Sequence, residues 1–522
     1  MSSPFTITTA ISYPNGRPHI GHAYEVIATD AIARFQRMMG RDVFFQTGTD
    51  EHGLKMAQTA RDRGVSAQAL ADEMASYFKA MNDGLNISYD RFIRTSEPAH
   101  HHASQAIWRA MEANGDLYLG RYEGWYSVRD EAFYDEKEIV AGEGGAKLSP
   151  QGTPVEWTVE ESWFFRLSAY QDRLLALYRE HPEFIQPESR RNEVMRFVEG
   201  GLSDLSVSRT SFDWGVKVPG SEGHVMYVWV DALTNYLTGC GYPDDVERMA
   251  RYWAEGGDIT HIIGKDIVRF HAVYWPAFLM SAKLPLPRRV FGHGFLLNRG
   301  EKMSKSLGNV ADPMELAERF GVDQLRYFLL SEVTFGNDGS YSAEAIVQRA
   351  NSDLGNAFGN LAQRTLSFIA KNLAGSLPAI HGHEAADEEL FALLDRTILA
   401  DMPDAFADLA PSVAIEAWLR ACFACNQYID AQAPWALRKT DPQRMETVLA
   451  TLYIAIAQLA VAILPVIPQS ATALLDHMGV PADKRSYEGI GAHWYSALAE
   501  SGFTLAPPTP LFPRLELPAE DA

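Results

Sequence analysis

In the stretch RPHIGHAYEV (17 to 26), His19 and His22 stand three apart, with Glu25 three further on, where a strand-like run gives way to a helix-like one. Taken alone, the trio supports three readings. Metal ligation would need a third and a fourth donor, and only Glu25 is near, because the three cysteines (Cys240, Cys422, Cys425) lie far along the chain. Core imidazoles would sit badly at an exposed strand-to-helix turn. A clamp for phosphate fits the position: Gly21 permits close approach, a helix N-terminus brings unpaired N–H groups, and imidazoles donate hydrogen bonds to phosphate oxygens. Near residue 300, NRGEKMSKSLGNV sets Lys302 and Lys305 three apart in a glycine- and serine-rich loop. By itself that is a solvated basic loop.

Other chemistry-bearing residue types offer less. Cys422 and Cys425 form a lone C-x-x-C inside a helical pattern with no strand before it, so they read as small buried apolar residues rather than a redox or zinc pair. His100, His101 and His102 are consecutive, point to different sides of a helix and cannot converge as ligands; they read as surface.

The elements that must position these residues alternate. FTITTAIS (5 to 12) is a strand-like run, YPNG (13 to 16) a turn signal, and HAYEVIATDAIARFQRMM has helical spacing up to Gly40. DVFFQTG (42 to 48) is a second strand-like run, followed by a helix from about Gly53 to Arg63. This βαβ order predicts a doubly wound parallel sheet, with ligands at the carboxyl ends of its strands. From about Leu117 to Val218 short strands and acidic turns interrupt the pattern. It then resumes with HVMYVWV as strand and DALTNYL as helix, ITHIIG as strand, DIVRFHAVYWPAFLMSA as helix, and VFGHGFLLN as strand. After about Tyr341 only long amphipathic patterns remain, which predicts a helical bundle, and a proline-rich tail closes the chain as an extended segment. The expected organisation is an α/β Rossmann-type catalytic domain in two halves, 1–116 and 224–289, split by a connective insertion, 117–223. A lysine-loop and stem-contact region, 290–345, and an all-α bundle, 346–522, complete the chain.

Composition bounds the function. The 522 residues are 47% hydrophobic and 22% charged, as in a multidomain globular protein. Neither a signal-peptide core nor an uninterrupted membrane-length apolar run is present in the sequence, and three cysteines cannot build a disulfide framework. A cytoplasmic protein without membrane partners is therefore expected. The net charge of −21, from 46 basic and 67 acidic residues, argues against a generally basic nucleic-acid surface. A local basic site remains open, because charges are screened beyond about 8 Å at physiological salt.

HIGH followed some way on by KMSKS is the paired signature of class I aminoacyl-tRNA synthetases, and the chain resembles the methionyl branch of that class over nearly its whole length. The matching blocks are AISYPNGRPHIGH, GTDEHG (48 to 53), FIRTSEP (92 to 98), YVWVDALTNYL (227 to 237), IIGKDIVRFHAVYWPA (262 to 277), LRYFLL (325 to 330) and PLFPRLE (510 to 516). The resemblance implies a methionine–tRNA ligase: ATP and L-methionine give methionyl-adenylate and pyrophosphate, and the methionyl group passes to the terminal adenosine of tRNA(Met), the initiator included. It implies His19 and His22 with Lys302 and Lys305 as the catalytic set. Gly21, Gly264 and Asp266, with the two lysines, would bind ATP, Glu25 would stand either on the adenosine side or behind the residues that touch the nucleotide, and Mg²⁺ would arrive with the ATP. Methionine would lie among Ile11, Tyr13, Trp229, Tyr236 and His271, its ammonium on Asp50, in an aromatic slot that suits a thioether by about 0.3–1.5 kcal/mol per ring contact. Asn360, Arg364 and Trp435 would read the anticodon; without the resemblance, Asn360 and Arg364 would be a solvated face and Trp435 a buried anchor.

The chain departs from the family pattern in places. Leu233 stands where the family often has proline. The insertion is too short for the editing domain of the leucine, isoleucine and valine enzymes. It also lacks the family's zinc-binding cysteines, with Ser127 and Asp130 where a first pair would stand and no second pair in KLSPQGTPVEW. No structural zinc and no other resident metal are expected, the knuckle being held by Trp125, Tyr126, Phe133 and Tyr134. The family's optional C-terminal dimerising appendage does not follow PLFPRLE, so a monomer is expected. The rival readings are another class I specificity, a small nucleotidyltransferase with the same histidine pair, and a catalytically dead tRNA-binding relative. The helical bundle argues against the nucleotidyltransferase, and the complete set of His19, His22, Asp50, Lys302 and Lys305 against the dead relative.

Overall fold

The computed structural model describes residues 3–130, 132–298, 300–302, 310–487, 489, 491 and 493–517. Its central sheet has six strands, all parallel: β1 (Pro4–Thr9), β2 (Asp42–Thr49), β3 (Arg91–Arg94), β4 (Ile185–Gln186), β5 (Asp258–Gly264) and β6 (Arg289–His293). The order across the sheet is β3-β2-β1-β5-β6-β4. The chain builds outward from β1 in one direction and from β5 in the other, so the switch point lies between these two strands, where doubly wound sheets bind ligands. Covered on both faces, the strands are nearly continuous apolar runs: β1 is buried from Phe5 and β2 from Val43 to its end.

The first helix, α1 (Ile20–Met38), follows β1 and is buried along most of its length. Helix α2 (Pro98–Ala113) follows β3 and packs on α3 (Val228–Gly239). The strand expected over HVMYVWV is cut to Val225–Met226. Tyr227 is the last extended residue, and Val228, Trp229 and Val230 open α3 although two are β-branched and one is aromatic. Local propensity yields here to burial, since all of α3 except Trp229 lies in the core. The helix expected over DIVRFHAVYWPAFLMSA is three pieces: a 3₁₀ turn (Lys265–Ile267), a π turn (Phe270–Tyr274) and an α-helix (Trp275–Ala282). The wider π turn buries His271 while leaving Phe270 against Trp229.

Within 117–223, Leu117–Ser127 pairs antiparallel with Glu156–Phe165 in a second sheet, yet the same stretch supplies edge strand β4 to the main sheet. At its tip Tyr126 and Tyr134 are buried, and the indole of Trp125 meets Trp157 edge-on beneath the Lys147 ammonium. The side chain of Phe133 is outside the described residues. A polar knot that the sequence did not suggest lies beside these rings. Asp130 Oδ2 accepts from Ser149 Oγ (2.7 Å), Tyr134 Oη (3.0 Å) and Thr153 Oγ1, while Ser127 Oγ and Ser149 Oγ each lie 2.7 Å from Thr153 Oγ1. Ser127, Ser149 and Thr153 are fully buried; the carboxylate is the common acceptor for Ser149, Thr153 and Tyr134, and Ser127 Oγ accepts from Asp130 N–H.

After β6 the chain passes through α4 (Val322–Glu332) into the bundle, which includes α5 (Asn360–Asn372), α6 (Pro411–Gln432) and α7 (Pro442–Ile463). Helix α7 is long and apolar enough to cross a membrane, but every residue from Thr447 to Ile463 is buried in the bundle. Cys422 and Cys425 are buried in α6, as expected of small apolar residues, and burial pushes both thiols up. Catalytic sheet and bundle share one core. At its centre the fully buried Arg326 of α4 donates to Asp30 of α1 at 2.6 Å and to the carbonyls of Leu85, Pro465 and Val466.

Candidate active site

At the carboxyl end of β1, His19 caps α1. Its Nδ1 accepts from Gly21 N–H (3.1 Å), its own N–H donates to His22 Nδ1 (3.1 Å), and the two rings lie 3.9 Å apart. A Cβ on Gly21 would stand 2.9 Å from the His19 ring, so glycine is what lets the ring fold back over the helix end. The expectation of unpaired N–H groups fails here: Ile20 N–H goes to Ala311 O, Gly21 N–H to His19 Nδ1 and His22 N–H to His19 O. Because Nδ1 accepts in both rings, each neutral imidazole carries its proton on Nε2. The donors at this site are therefore side chains.

The methionine-side residues come from four segments. The chain beyond β1 runs beside the end of β2, with Ser12 N–H on Gly48 O and Asp50 N–H on Ser12 O, both 2.9 Å, which sets Ile11 and Tyr13 next to the buried Asp50. Tyr13 Oη accepts from Met56 N–H at 3.1 Å. From the other side, Trp229 stacks on Phe270 with centroids 3.8 Å apart and meets His271 edge-on. Tyr236 Oη lies 2.7 Å from His271 Nε2, and His271 Nδ1 lies 3.0 Å from Ile267 O. The carbonyl can only accept, so Nδ1 carries the proton and Tyr236 donates to Nε2. Burial lowers His271 to about 4, which fits this neutral tautomer, and burial raises Tyr236 well above the ordinary phenol range.

A buried link that the sequence reading missed joins the two sides. Asp231, in the first turn of α3, accepts from His52 Nδ1 and His100 Nε2, each at 2.6 Å, and His100 Nδ1 lies 2.9 Å from Thr238 Oγ1. The expectation of three surface histidines is thus wrong for His100, which is fully buried, whereas His102 is exposed. Consecutive residues do diverge on the helix, and the first of the three faces inward. Burial opposes a charge on Asp231, but the flanking His52 and His100 win and hold its carboxyl well below the usual range.

On the nucleotide side, β5 ends at Gly264, which is paired in register with His293 at the end of β6. His293 Nε2 lies 2.8 Å from Glu25 Oε2. Asp266 is exposed beside this pair, at the rim of a cavity of about 410 Å³ between insertion and sheet that Lys265 and Phe270 also line. Of the lysine loop, Lys302 is placed by its backbone, paired with Leu297, and Lys305 lies outside the described residues. Among the described residues, no three His, Cys, Asp or Glu side chains gather as metal ligands. His293 escaped the sequence reading because GHGF passes for ordinary strand. Its glycine on either side was the available signal.

In the bundle, Asn360 and Arg364 lie one turn apart on α5. The Arg364 guanidinium is 2.7 Å from Asp430 and sits over the Trp435 ring at 5.6 Å. Trp435 is 46% exposed, on a short helix (Pro434–Thr440) reached through the left-handed Ala433, so it is no buried anchor.

Comparison with known proteins agrees with this geometry. The family model described as tRNA synthetases class I (M) matches residues 5–366, and the model for the anticodon binding domain of methionyl tRNA ligase matches 378–520. Methionine–tRNA ligase of Brucella suis biovar 1 is 59% identical, over 98% of each chain, and that of Mycobacterium bovis 56% identical, over 99% of this chain and 98% of its own. The structure of Mycobacterium tuberculosis methionyl-tRNA synthetase in complex with methionyl-adenylate superposes with a TM-score of 0.93 at 55% identity, covering 98% of this chain and all of that one. Its free-state structure gives 0.88 at 52% identity, over 99% of both chains. On sequence and fold together, the chain belongs to the methionyl family of class I tRNA synthetases.

Proposed function

We propose that the chain is a methionine–tRNA ligase that forms methionyl-adenylate from L-methionine and ATP and then charges tRNA(Met), the initiator included. The carrying observation is the convergence at the sheet's switch point of Ile11, Tyr13 and Asp50 on one side, Trp229, Tyr236 and His271 on the other, and the His19–His22 pair beside them. Asp50 would hold the substrate ammonium, since a buried carboxylate favours a cation. The neutral His271 and the committed Tyr236 hydroxyl leave no charge for an ionic side chain, while the rings suit a thioether.

In the first step the methionine carboxylate attacks the α-phosphorus of ATP, the bond to the β-phosphate oxygen breaks, and pyrophosphate leaves. The Nε2–H groups of His19 and His22 would donate to the phosphate oxygens that gain charge, and Lys302 and Lys305 would meet the β- and γ-phosphates. Such preorganised donors act more strongly in the transition state than on bound ATP. Gly21, Gly264, Asp266 and Glu25 would border the nucleotide. Mg²⁺ would travel with the triphosphate on its phosphate oxygens, and the residues described offer no cage of their own for it.

In the second step a ribose hydroxyl of the tRNA's terminal adenosine displaces AMP. The divisions expected at 116, 223, 289 and 345 assign activation to the parallel sheet and anticodon reading to the bundle, where Trp435 would stack on an unpaired base and Asn360 and Arg364 would bond to base edges. We place the enzyme in the cytoplasm, acting as a monomer. The test is aminoacylation of a tRNA(Met) transcript: charging with methionine is expected, with a loss of several orders of magnitude when the CAU anticodon is altered. Equal charging of both transcripts would refute anticodon reading by the bundle.

A further inference from the structure

We propose that His293, paired with Glu25, is a positioning residue for adenylate formation, locking the first turns of α1 to the exit of β6 from which the Lys302–Lys305 loop departs. The inference rests on the ligase reading and decides between the two parts open to Glu25, making it the anchor of an imidazole rather than a nucleotide contact.

The geometry makes His293 a two-sided fastener. Its Nδ1 is 2.8 Å from Gly294 O and its Nε2 is 2.8 Å from Glu25 Oε2, so an imidazolium donates to both while a neutral ring can donate to only one. The ring stacks on Phe335 and meets Tyr24 edge-on, which fixes its plane. Both partners are largely shielded from water, with side chains 8% and 13% exposed.

The chain beyond His293 is equally fixed. A Cβ on Gly294 would stand 2.2 Å from the backbone of Asn337, so the exit passes backbone against backbone. Phe295 N–H then donates to Asp338, which also holds the Lys265 ammonium at 2.7 Å. Leu296–Asn298 pairs with Gly339–Tyr341 on one side and with Glu301–Lys302 on the other. The backbone of Lys302 thus hangs from a braced strand that packs on the histidine helix and is tied to it in polar fashion by the His293–Glu25 bond. Angular error there would displace the backbone of Lys302, and a misplacement of about 1 Å can cost about 100-fold in rate.

The pair also has a proton to lose. Burial pushes His293 toward its neutral form, but the Glu25 bond and charge outweigh it and hold the imidazole above its ordinary value. Burial raises the Glu25 carboxyl, with His293 pulling the other way. Among the described residues, the other charged or titratable neighbours of the pair are Asp266, whose negative charge favours the proton, Tyr24, Tyr236, a phenol raised by burial and by the charge of Glu25, and Lys265, already committed to Asp338. With the folded value of His293 raised, both hydrogen bonds of the imidazolium are intact at neutral pH and one is lost as pH rises through that value, while the Glu25 side weakens as pH falls through the raised value of its carboxyl.

The test is methionine-dependent ATP–pyrophosphate exchange by the full chain, with methionine Kd measured separately by calorimetry. His293→Gln and Glu25→Gln are each expected to lower kcat about 100-fold with methionine Kd within about twofold, and the double variant to be no slower than either single one. Wild type is expected to lose kcat on the alkaline side, and His293→Gln to lack that limb. Should His293→Gln not fold, Glu25→Gln and the wild-type profile carry the test. The inference is overturned if the two substitutions multiply independently, if Glu25→Gln alone raises the KM for ATP while His293→Gln is normal, or if wild type has no alkaline limb. Absence of exchange by wild type would instead overturn the ligase reading.

Discussion

Tyr236 donates its hydroxyl proton to His271 Nε2 at 2.7 Å, and His271 in turn donates from Nδ1 to the Ile267 carbonyl, so both side chains are committed before a substrate arrives. Tyr236→Phe leaves the buried imidazole acceptor without a partner. It is expected to weaken methionine binding or stability by about 1–3 kcal/mol, read by calorimetry and urea unfolding together. No change in either would show that the bond does not hold the pocket wall.

The same histidine sets a pH window. Its folded value, lowered by burial to about 4, lies below the unfolded value of about 6.5, so the unfolded chain takes up the proton first as pH falls. Stability from neutral His271 is full above about 6.5 and is lost progressively down to about 4. Methionine affinity is expected to stay flat from about pH 8 to about pH 6 on this account. An affinity that rises steeply as pH falls through 6.5 would mean that the charged imidazole is the binding form.

Arg326 and Asp30 tie the catalytic sheet to the bundle from inside the shared core, both fully buried. Asp30→Ala strands the guanidinium and is expected to cost about 3–5 kcal/mol in urea unfolding, whereas a paired apolar replacement of both residues should cost much less. Burial disfavours the Asp30 carboxylate, yet Arg326 and Arg34 overcome it and hold the group below its usual range. Its contribution is therefore present above about pH 3.9 and is lost as pH falls through the lower folded value.

The knot at Asp130 is expected to do in the insertion what bound zinc does elsewhere in the family. Asp130→Ala removes the shared acceptor of Ser149, Thr153 and Tyr134 and should speed proteolysis between 127 and 155 while leaving the bundle resistant. A chelator is expected to leave the melting temperature of the wild type unchanged. Stoichiometric zinc in purified protein would contradict this.

Lys305→Ala is expected to lower adenylate formation by about 10²–10³ with methionine binding nearly intact, because its ammonium is assigned to the phosphates alone. Trp435→Ala should do the converse, sparing exchange and costing about 1–3 kcal/mol in tRNA charging. If exchange fell equally in Trp435→Ala, the exposed indole would be a structural support of the bundle.

How much of this was legible in the sequence depended on whether a residue's role is local. β1, α1 and β2 were readable because apolar runs and 3.6-residue spacing are properties of a few neighbours. Val228, Trp229 and Val230 misled because β-branched and aromatic side chains favour strand, while the packing of α3 against α2 and the sheet decides otherwise. His100, Asp231 and His293 were opaque for a different reason. Each acquires its meaning from a partner more than 100 positions away, as in the 268-residue separation of Glu25 from His293. Among the site residues, His19 and His22 were readable as a pair, but their tautomers came only from the capping bonds that consume the helix N–H groups.

The central claim is methionine activation at the switch point between β1 and β5, and ATP–pyrophosphate exchange with each of the twenty amino acids in turn tests it most directly. Exchange with methionine alone is expected. Exchange driven by leucine or cysteine, with methionine silent, would contradict the assignment of the Trp229–Tyr236–His271 wall.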